Sequence, residues 1–208
     1  MSEILDFDLN YQQALIGVDE VGRGSLVGPV YAAALHIDTS YLKAGLPFLY
    51  QINDSKQLSA LSRQKLFIQL TEISQYKLGE STASEIDKTG IVAATEKAMS
   101  QAVQKLLSEL PAKEDYLLLV DGRHTISQLR ISQKSLIKGD SRSLHIASAS
   151  IVAKVSRDRY MQELSTSYPS YSWQKNKGYG TKEHFRAIKE TGLSPYHRRT
   201  FCRGAVSG

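Results

Sequence analysis

The sequence predicts an α/β protein: a mixed five-stranded sheet flanked by helices, with a small helical extension at the C-terminus. Two fully apolar runs, at 15–18 and 116–120, have the unbroken hydrophobicity of central strands covered on both faces. Strand-like and helix-periodic stretches follow one another in an order that suits a sheet of mixed direction. The chain has 208 residues, 41% hydrophobic and 23% charged, which fits one domain spanning 1–208 with a basic helical segment over 165–208.

The run at 15–18 reads as the first strand and leads into Asp19-Glu20, then Val21-Gly22-Arg23-Gly24. Adjacent strand side chains point to opposite faces, so the two acids share a site only where the strand ends and twists. Residues 30–37, after Gly28-Pro29, form a second strand of small and β-branched residues. A polar loop at 53–59 precedes a helix from about 60 to 75, with Ser59 as N-cap and Leu66, Leu70 and Ile73 on one face. Residues 77–83 suit a third strand, completing an antiparallel meander. A long helix is expected over 85–110, capped by Ser84, with Ile91, Ala94, Ala98, Ala102 and Leu106 at helical spacing and Pro111 beyond its end. The fourth strand, 116–122, ends in Asp121-Gly122, and its tip must lie beside that of the first. A short strand at 135–138 leads through Gly139-Asp140-Ser141 into a helix over 142–164, capped by Asp140 or Ser141. The small residues at 147–153 let that helix approach the sheet closely. Thr181 caps a last helix ending near Gly192.

Composition narrows the function. No stretch approaches the roughly 18 consecutive apolar residues of a membrane helix, so no membrane partner is expected. The first six residues lack the order of a signal peptide, and the single cysteine, Cys202, allows neither an internal disulfide nor a multi-cysteine zinc site. A cytoplasmic protein is the expectation. The net charge is +5, and Lys175, Lys177, Lys182, Arg186, Lys189, Arg198, Arg199 and Arg203 concentrate near the C-terminus, interleaved with Tyr179, His184, Tyr196 and His197. Cations for phosphates and rings for sugars or bases suit a nucleic-acid surface, although a solvated basic helix has the same composition.

Asp19, Glu20, Asp121 and Asp140 each stand at a strand end or a helix start. With no His cluster or Cys pair, the ligands are oxygens, which suit Mg²⁺ or Mn²⁺ rather than zinc. Two such ions roughly 3.5–4 Å apart support in-line phosphoryl displacement. A paired-acid glycosidase leaves the basic segment unexplained, and no Gly-x-Ser-x-Gly stretch marks a serine hydrolase. The five histidines are scattered, and no catalytic role is read for them.

These motifs, in this order, resemble the bacterial type 2 ribonuclease H family, ribonuclease HII, from Leu15 to Phe201. They are Asp19-Glu20-Val21-Gly22-Arg23-Gly24 with Gly28-Pro29-Val30, Asp54-Ser55-Lys56, Val120-Asp121-Gly122 and Lys138-Gly139-Asp140-Ser141. Ala149-Ser150-Ile151-Val152-Ala153-Lys154-Val155, Gly178-Tyr179-Gly180-Thr181-Lys182-Glu183-His184 and His197-Arg198-Arg199-Thr200-Phe201 complete the set. The resemblance implies the ribonuclease H-like fold. It implies cutting of RNA within RNA–DNA hybrids and at single ribonucleotides in duplex DNA, leaving 3′-hydroxyl and 5′-phosphate ends. It also implies Asp19, Glu20 and Asp121 as ligands of Mn²⁺ or Mg²⁺, with Asp140 as the fourth acid. Gly22, Arg23 and Gly24 take the positions that sense the ribose 2′-hydroxyl and adjoining phosphate, Tyr179 the position that stacks on the sugar, and Ser55 and Lys56 positions that contact the backbone.

Ser25 departs from the proline common after Gly-Arg-Gly in this family, a change expected to loosen the turn without removing a functional group. Asp158, between Arg157 and Arg159, rivals Asp140, but its mid-helix place suits a salt bridge. Lys154, Arg157 and Arg159 are left open between helix surface and phosphate contact. A monomer is expected, and no sequence feature supports a sliding-clamp partner. The competing readings are a non-catalytic nucleic-acid-binding module and another nuclease of the same fold, such as a resolvase or a type 3 ribonuclease H.

Overall fold

A computed structural model describes residues 3–206 except 54, 56, 113 and 114. In chain order the main elements are α1 (Glu3–Leu9), β1 (Ala14–Val21), β2 (Val30–Ile37), α2 (Thr39–Ala44), α3 (Ala60–Ile73), β3 (Ser74–Ser81) and α4 (Ala83–Thr89). They continue with α5 (Ile91–Leu107), β4 (Tyr116–Asp121), β5 (Gln133–Leu136), α6 (Leu144–Ser167), α7 (Trp173–Asn176), α8 (Lys182–Thr191) and α9 (Arg203–Val206).

Among the described residues the strands form one five-stranded sheet in the order β3-β2-β1-β4-β5. β1, β2 and β3 are the expected antiparallel meander. β1 and β4 pair in parallel from Ala14↔Tyr116 to Val18↔Val120, which sets Asp19 and Asp121 at the same end of neighbouring strands. β1 does not stop at Val18 as expected. It runs on to Val21 against β2, so Asp19 and Glu20 are still in the ladder, opposite Ala33 and Ala32.

Each face of the sheet is covered. Ile16, Val18, Leu118 and Val120 pack with Ala98, Ala102 and Val103 of α5. On the other face, Leu15, Leu117 and Leu119 meet Ile146, and Leu35 lies among Leu70, Ile151 and Val152 of α3 and α6. The expected close approach of α6 is extreme at Gly17, where an added Cβ would lie 2.1 Å from the His145 carbonyl carbon. A buried Asp8–His145 pair (2.7 Å) ties α1 to the start of α6.

Several boundaries differ from expectation for local reasons. The helix expected over 85–110 is two helices, because Gly90 adopts a positive φ of 81° between them. Its cap is Thr82 rather than Ser84, in a reciprocal capping box with Glu85. Asp140 and Ser141 do not cap α6. They lie in a 3₁₀ turn entered from Lys138 at φ 54°, and Ser143 caps the helix through the Ile146 amide. β3 and β5 start earlier than expected, while Ser59 and Thr181 cap α3 and α8 as read.

Candidate active site

The parallel pairing of β1 and β4 does most of the assembly. Carboxylate oxygens of Asp19, Glu20 and Asp121 all lie within 4.8 Å of one another. Strand alternation turns Asp19 toward α6 and Glu20 toward α5, and Glu20 reaches the same point from the opposite face. A cleft of about 760 Å³ opens beside them, lined by Glu20, Arg23, Met99, Asp121, His124 and Ile126 among others.

Burial and mutual repulsion govern these acids. Asp19 is 6% exposed, and burial, then the neighbouring Glu20 and Asp121 charges, raises its pKa well above the ordinary carboxylate value. Burial also raises Glu20, against the opposing pull of Arg23, whose guanidinium lies 3.3 Å away. Three clustered carboxylates, with Asp19 and Glu20 held against ionisation chiefly by burial, are the donor set that a divalent cation stabilises. The residues present therefore fit a hard, oxygen-liganded metal.

Each acid is also held by its surroundings. Asp19 accepts from its neighbour's amide (Glu20 N, 2.7 Å), and the Ser150 hydroxyl beside it opposes the rise in its pKa. Ser150 in turn is 2.8 Å from Ser55 Oγ, so Ser55 is buried in a chain of hydroxyls leading to Asp19. Lys56 lies outside the described residues. Asp121 Oδ1 accepts from the Gly139 amide at 2.6 Å, which joins the end of β4 to the turn carrying Asp140. Asp140 is 7% exposed and is not in the group of acids within 4.8 Å. Asp158 is engaged as expected, although its partner is Lys154 (2.8 Å) rather than a flanking arginine.

Gly22, Arg23 and Gly24 follow directly after β1, with Gly22 at φ 90°. This loop is zipped to the C-terminal segment: Leu26 N donates to Gly178 O (2.9 Å), Gly28 N to Tyr196 O (2.9 Å) and Arg198 N to Leu26 O (2.8 Å). Tyr179 is thereby placed near the loop, 37% exposed, with Arg157 Cζ 5.7 Å from its ring centroid. The Tyr179 carbonyl is anchored by His184 Nδ1 at 2.9 Å.

The basic segment divides. Lys175, Lys182, Arg186, Lys189 and Arg199 are exposed, whereas Arg198 is fully buried and belongs to the scaffold. Arg157 is likewise buried, and Arg159 stacks over Phe67 at 4.6 Å. Two histidines that are distant in sequence also meet: His184 and His197 lie with their Nε2 atoms 3.2 Å apart beside Trp173. Ser25 makes more contacts than its sequence position suggests. It is fully buried, its Oγ accepts from Arg157 Nη2 (2.8 Å) and donates to Val27 O (2.9 Å), so it braces the turn rather than loosening it. Sequence reasoning gave Ser150 no role, left Arg157 open between helix surface and phosphate contact, and read His184 and Arg198 only as parts of a basic, aromatic surface segment; their buried supporting roles were not foreseen. For Ser150 and Arg157 the available signal was a polar or charged residue on a helix whose first half is crowded with small core residues; nothing comparable marks His184 or Arg198.

The family model for ribonuclease HII matches residues 16–204. Ribonuclease HII of Rickettsia bellii is 46% identical over 202 residues, covering 97% of this chain and 96% of that protein. Ribonuclease HII of Fusobacterium nucleatum is 45% identical over 209 residues, covering 98% and 94%. Among solved structures, ribonuclease H2 from Pyrococcus horikoshii superposes with a TM-score of 0.71 at 27% identity, over 92% of this chain and 96% of that one. Bst-RNase HIII gives 0.69 at 19% identity, over 92% and 67%, a likeness of fold alone. The described residues contain no helix long and apolar enough to cross a membrane. A ribonuclease H-like sheet with an acidic cluster where β1 and β4 end, matched over nearly its whole length, places this chain in the ribonuclease HII family.

Proposed function

We propose that this chain, as one catalytic domain, cuts RNA in RNA–DNA hybrids and nicks duplex DNA on the 5′ side of single embedded ribonucleotides, leaving 3′-hydroxyl and 5′-phosphate ends. The observation that carries the reading is the three-carboxylate group directly joined, through Val21, to the loop that is zipped to Tyr179. The cutting group and the groups that distinguish RNA from DNA are then parts of one rigid surface.

In this reading Asp19, Glu20 and Asp121 hold Mn²⁺ or Mg²⁺, and Asp140 acts as the fourth acid from the adjoining turn. The Bst-RNase HIII neighbour was solved with Mn²⁺, but it is a likeness of fold alone, and the choice of metal here rests on the all-carboxylate donor set. A bound divalent ion supplies charge neutralisation at the phosphate and activation of water. The chain's own residues orient the strand. Gly22, Arg23 and Gly24 meet the ribose 2′-hydroxyl and adjoining phosphate, and the Tyr179 ring stacks on the next sugar. Exposed Lys175, Lys182, Arg186 and Lys189 attract the duplex backbone without reading sequence. Ser55 acts through Ser150 on Asp19, and Lys56 is assigned to contact the substrate backbone. The protein works as a monomer in the cytoplasm. The Archaeoglobus fulgidus neighbour was solved as a complex with PCNA, but at 22% identity that likeness carries the fold alone, and no clamp enters this reading.

The test is a DNA duplex carrying one ribonucleotide, incubated with Mn²⁺ or Mg²⁺, with the ends mapped. Nicking on the 5′ side of the ribonucleotide is the expected result. Cleavage of long hybrids without nicking of this duplex would favour a type 3 specificity.

A further inference from the structure

Arg157 and Arg198 are among the largest fully buried side chains of the molecule, and among the described residues neither makes an ion pair within 4 Å. Burying a guanidinium without a counter-charge is costly unless its donors are matched by oriented acceptors. Here the acceptors are almost all main-chain carbonyls of two segments. Arg157 donates to Pro29 O (3.3 Å), Val27 O (3.0 Å) and Ser25 Oγ (2.8 Å) on the loop after β1, and to Lys177 O (3.0 Å) on the C-terminal segment. Arg198 donates from Nε to Gly28 O (2.9 Å) and from Nη1 to Arg23 O (2.9 Å), leaving its buried Nη2 without a partner, while its own amide bonds Leu26 O.

These contacts have a directional consequence. A trans peptide holds its C=O and N–H on opposite sides. With the Arg23 carbonyl turned inward to Arg198, the Gly24 N–H points outward, from an exposed residue with nothing within 4 Å of where a Cβ would be. Gly22 is required for the same arrangement, because a Cβ there would lie 2.3 Å from Arg157 Nε. Arg157 also connects Ser25 and Lys177 by one planar group and lies beneath the Tyr179 ring.

We infer that Arg157 and Arg198 form a buried clasp that presets the Gly24 N–H and the Tyr179 ring as a single reader of the ribonucleotide, acting as positioning residues rather than touching substrate. The inference rests on the assignment of Gly22–Gly24 and Tyr179 as substrate-reading residues under Proposed function. The clasp is strained by charge: burial and the nearby Arg157 push Arg198 down to about 9.

The test compares Arg198→Lys and Arg157→Lys with the unaltered protein on two substrates, a DNA duplex with one ribonucleotide and a long RNA–DNA hybrid. Lysine keeps the charge but cannot reproduce the fork. The expected result is a fall of about tenfold or more in the ratio of kcat/KM for the first substrate over the second, consistent with the loss of a charge-assisted hydrogen bond. Mn²⁺ affinity and melting temperature serve as controls for a merely structural effect. Equal losses on both substrates, or none, would overturn the clasp. If neither lysine variant folds, Ser25→Ala decides: it removes one acceptor of Arg157, and a lower ratio supports the clasp whereas an unchanged ratio overturns it. Failure of the unaltered protein to nick the single-ribonucleotide duplex would instead overturn the functional reading itself.

Discussion

His184 and His197 face each other with their Nε2 atoms 3.2 Å apart, and the bonds around them assign every proton. Trp173 Nε1 donates to His184 Nε2 at 3.0 Å, so His184 carries its proton on Nδ1, where it donates to Tyr179 O. His184 Nε2 is then an acceptor for His197 Nε2–H, and His197 Nδ1 accepts from the Ser194 amide at 2.9 Å. Both rings are neutral. Burial, with a smaller contribution from His184, lowers His197 from its ordinary 6.5 to about 4, and burial lowers His184 as well.

Because the unfolded chain takes up these protons first, the pair's contribution is complete above pH 6.5 and is lost as pH falls toward 4. The loss for His197 is on the order of 3 kcal/mol. Melting temperature measured across this window should fall less steeply in His197→Gln than in the unaltered protein. Identical slopes would mean that the ring is not held neutral.

Ser150 stands between Ser55 and Asp19 and contributes no ligand itself. Removal of its hydroxyl leaves Asp19 less well oriented, and such outer partners typically change metal affinity by about 10–100-fold. Ser150→Ala should weaken Mn²⁺ binding by about tenfold in a calorimetric titration, with the fold intact. Unchanged affinity would detach this hydroxyl chain from the metal site.

Tyr179→Ala removes the exposed ring while the carbonyl contact to His184 remains available. Cutting beside the RNA-to-DNA junction should fall by about tenfold, the scale of one lost stacking contact, with a much smaller change inside long hybrids. A gel assay that shows equal loss on both substrates would remove the sugar-stacking role.

Gly17 lets α6 lie against β1, and an added methyl would meet the His145 backbone at 2.1–2.2 Å. Backbone cannot step aside as a side-chain tip can, so Gly17→Ala should destabilise the fold by about 3 kcal/mol. Denaturant unfolding reads this directly, and a cost below about 0.5 kcal/mol, within the range of an ordinary surface substitution, would mean that the close approach is relaxed in solution.

Much of the architecture was legible because it is written in local signals. The apolar runs before Asp19 and Asp121 marked central strands, and the proximity of their ends required the parallel pairing now seen from Ala14 to Val18. Element boundaries were less legible. Gly90 interrupts a pattern that is otherwise helical across both α4 and α5, and hydrophobic spacing does not register one residue's positive φ. The three acids were legible as residue types at strand ends, but the supports behind them were not. Ser150 is hidden in a run of small residues that reads as packing. Arg198 sits in a basic stretch that reads as surface, and only tertiary structure shows its guanidinium turned inward to the carbonyls of Arg23 and Gly28.

The central claim is that the carboxylates at the ends of β1 and β4 carry the cutting and not the binding. Asp121→Asn keeps the size of the side chain and its acceptor for the Gly139 amide but removes one of three charges from the cluster. The decisive measurement is nicking of a DNA duplex with one ribonucleotide, in parallel with binding of the same duplex by this variant. Loss of nicking by at least about a hundredfold, a few kcal/mol of metal-dependent stabilisation, with binding within about threefold of the unaltered protein, is the predicted result. Undiminished nicking by Asp121→Asn would contradict it.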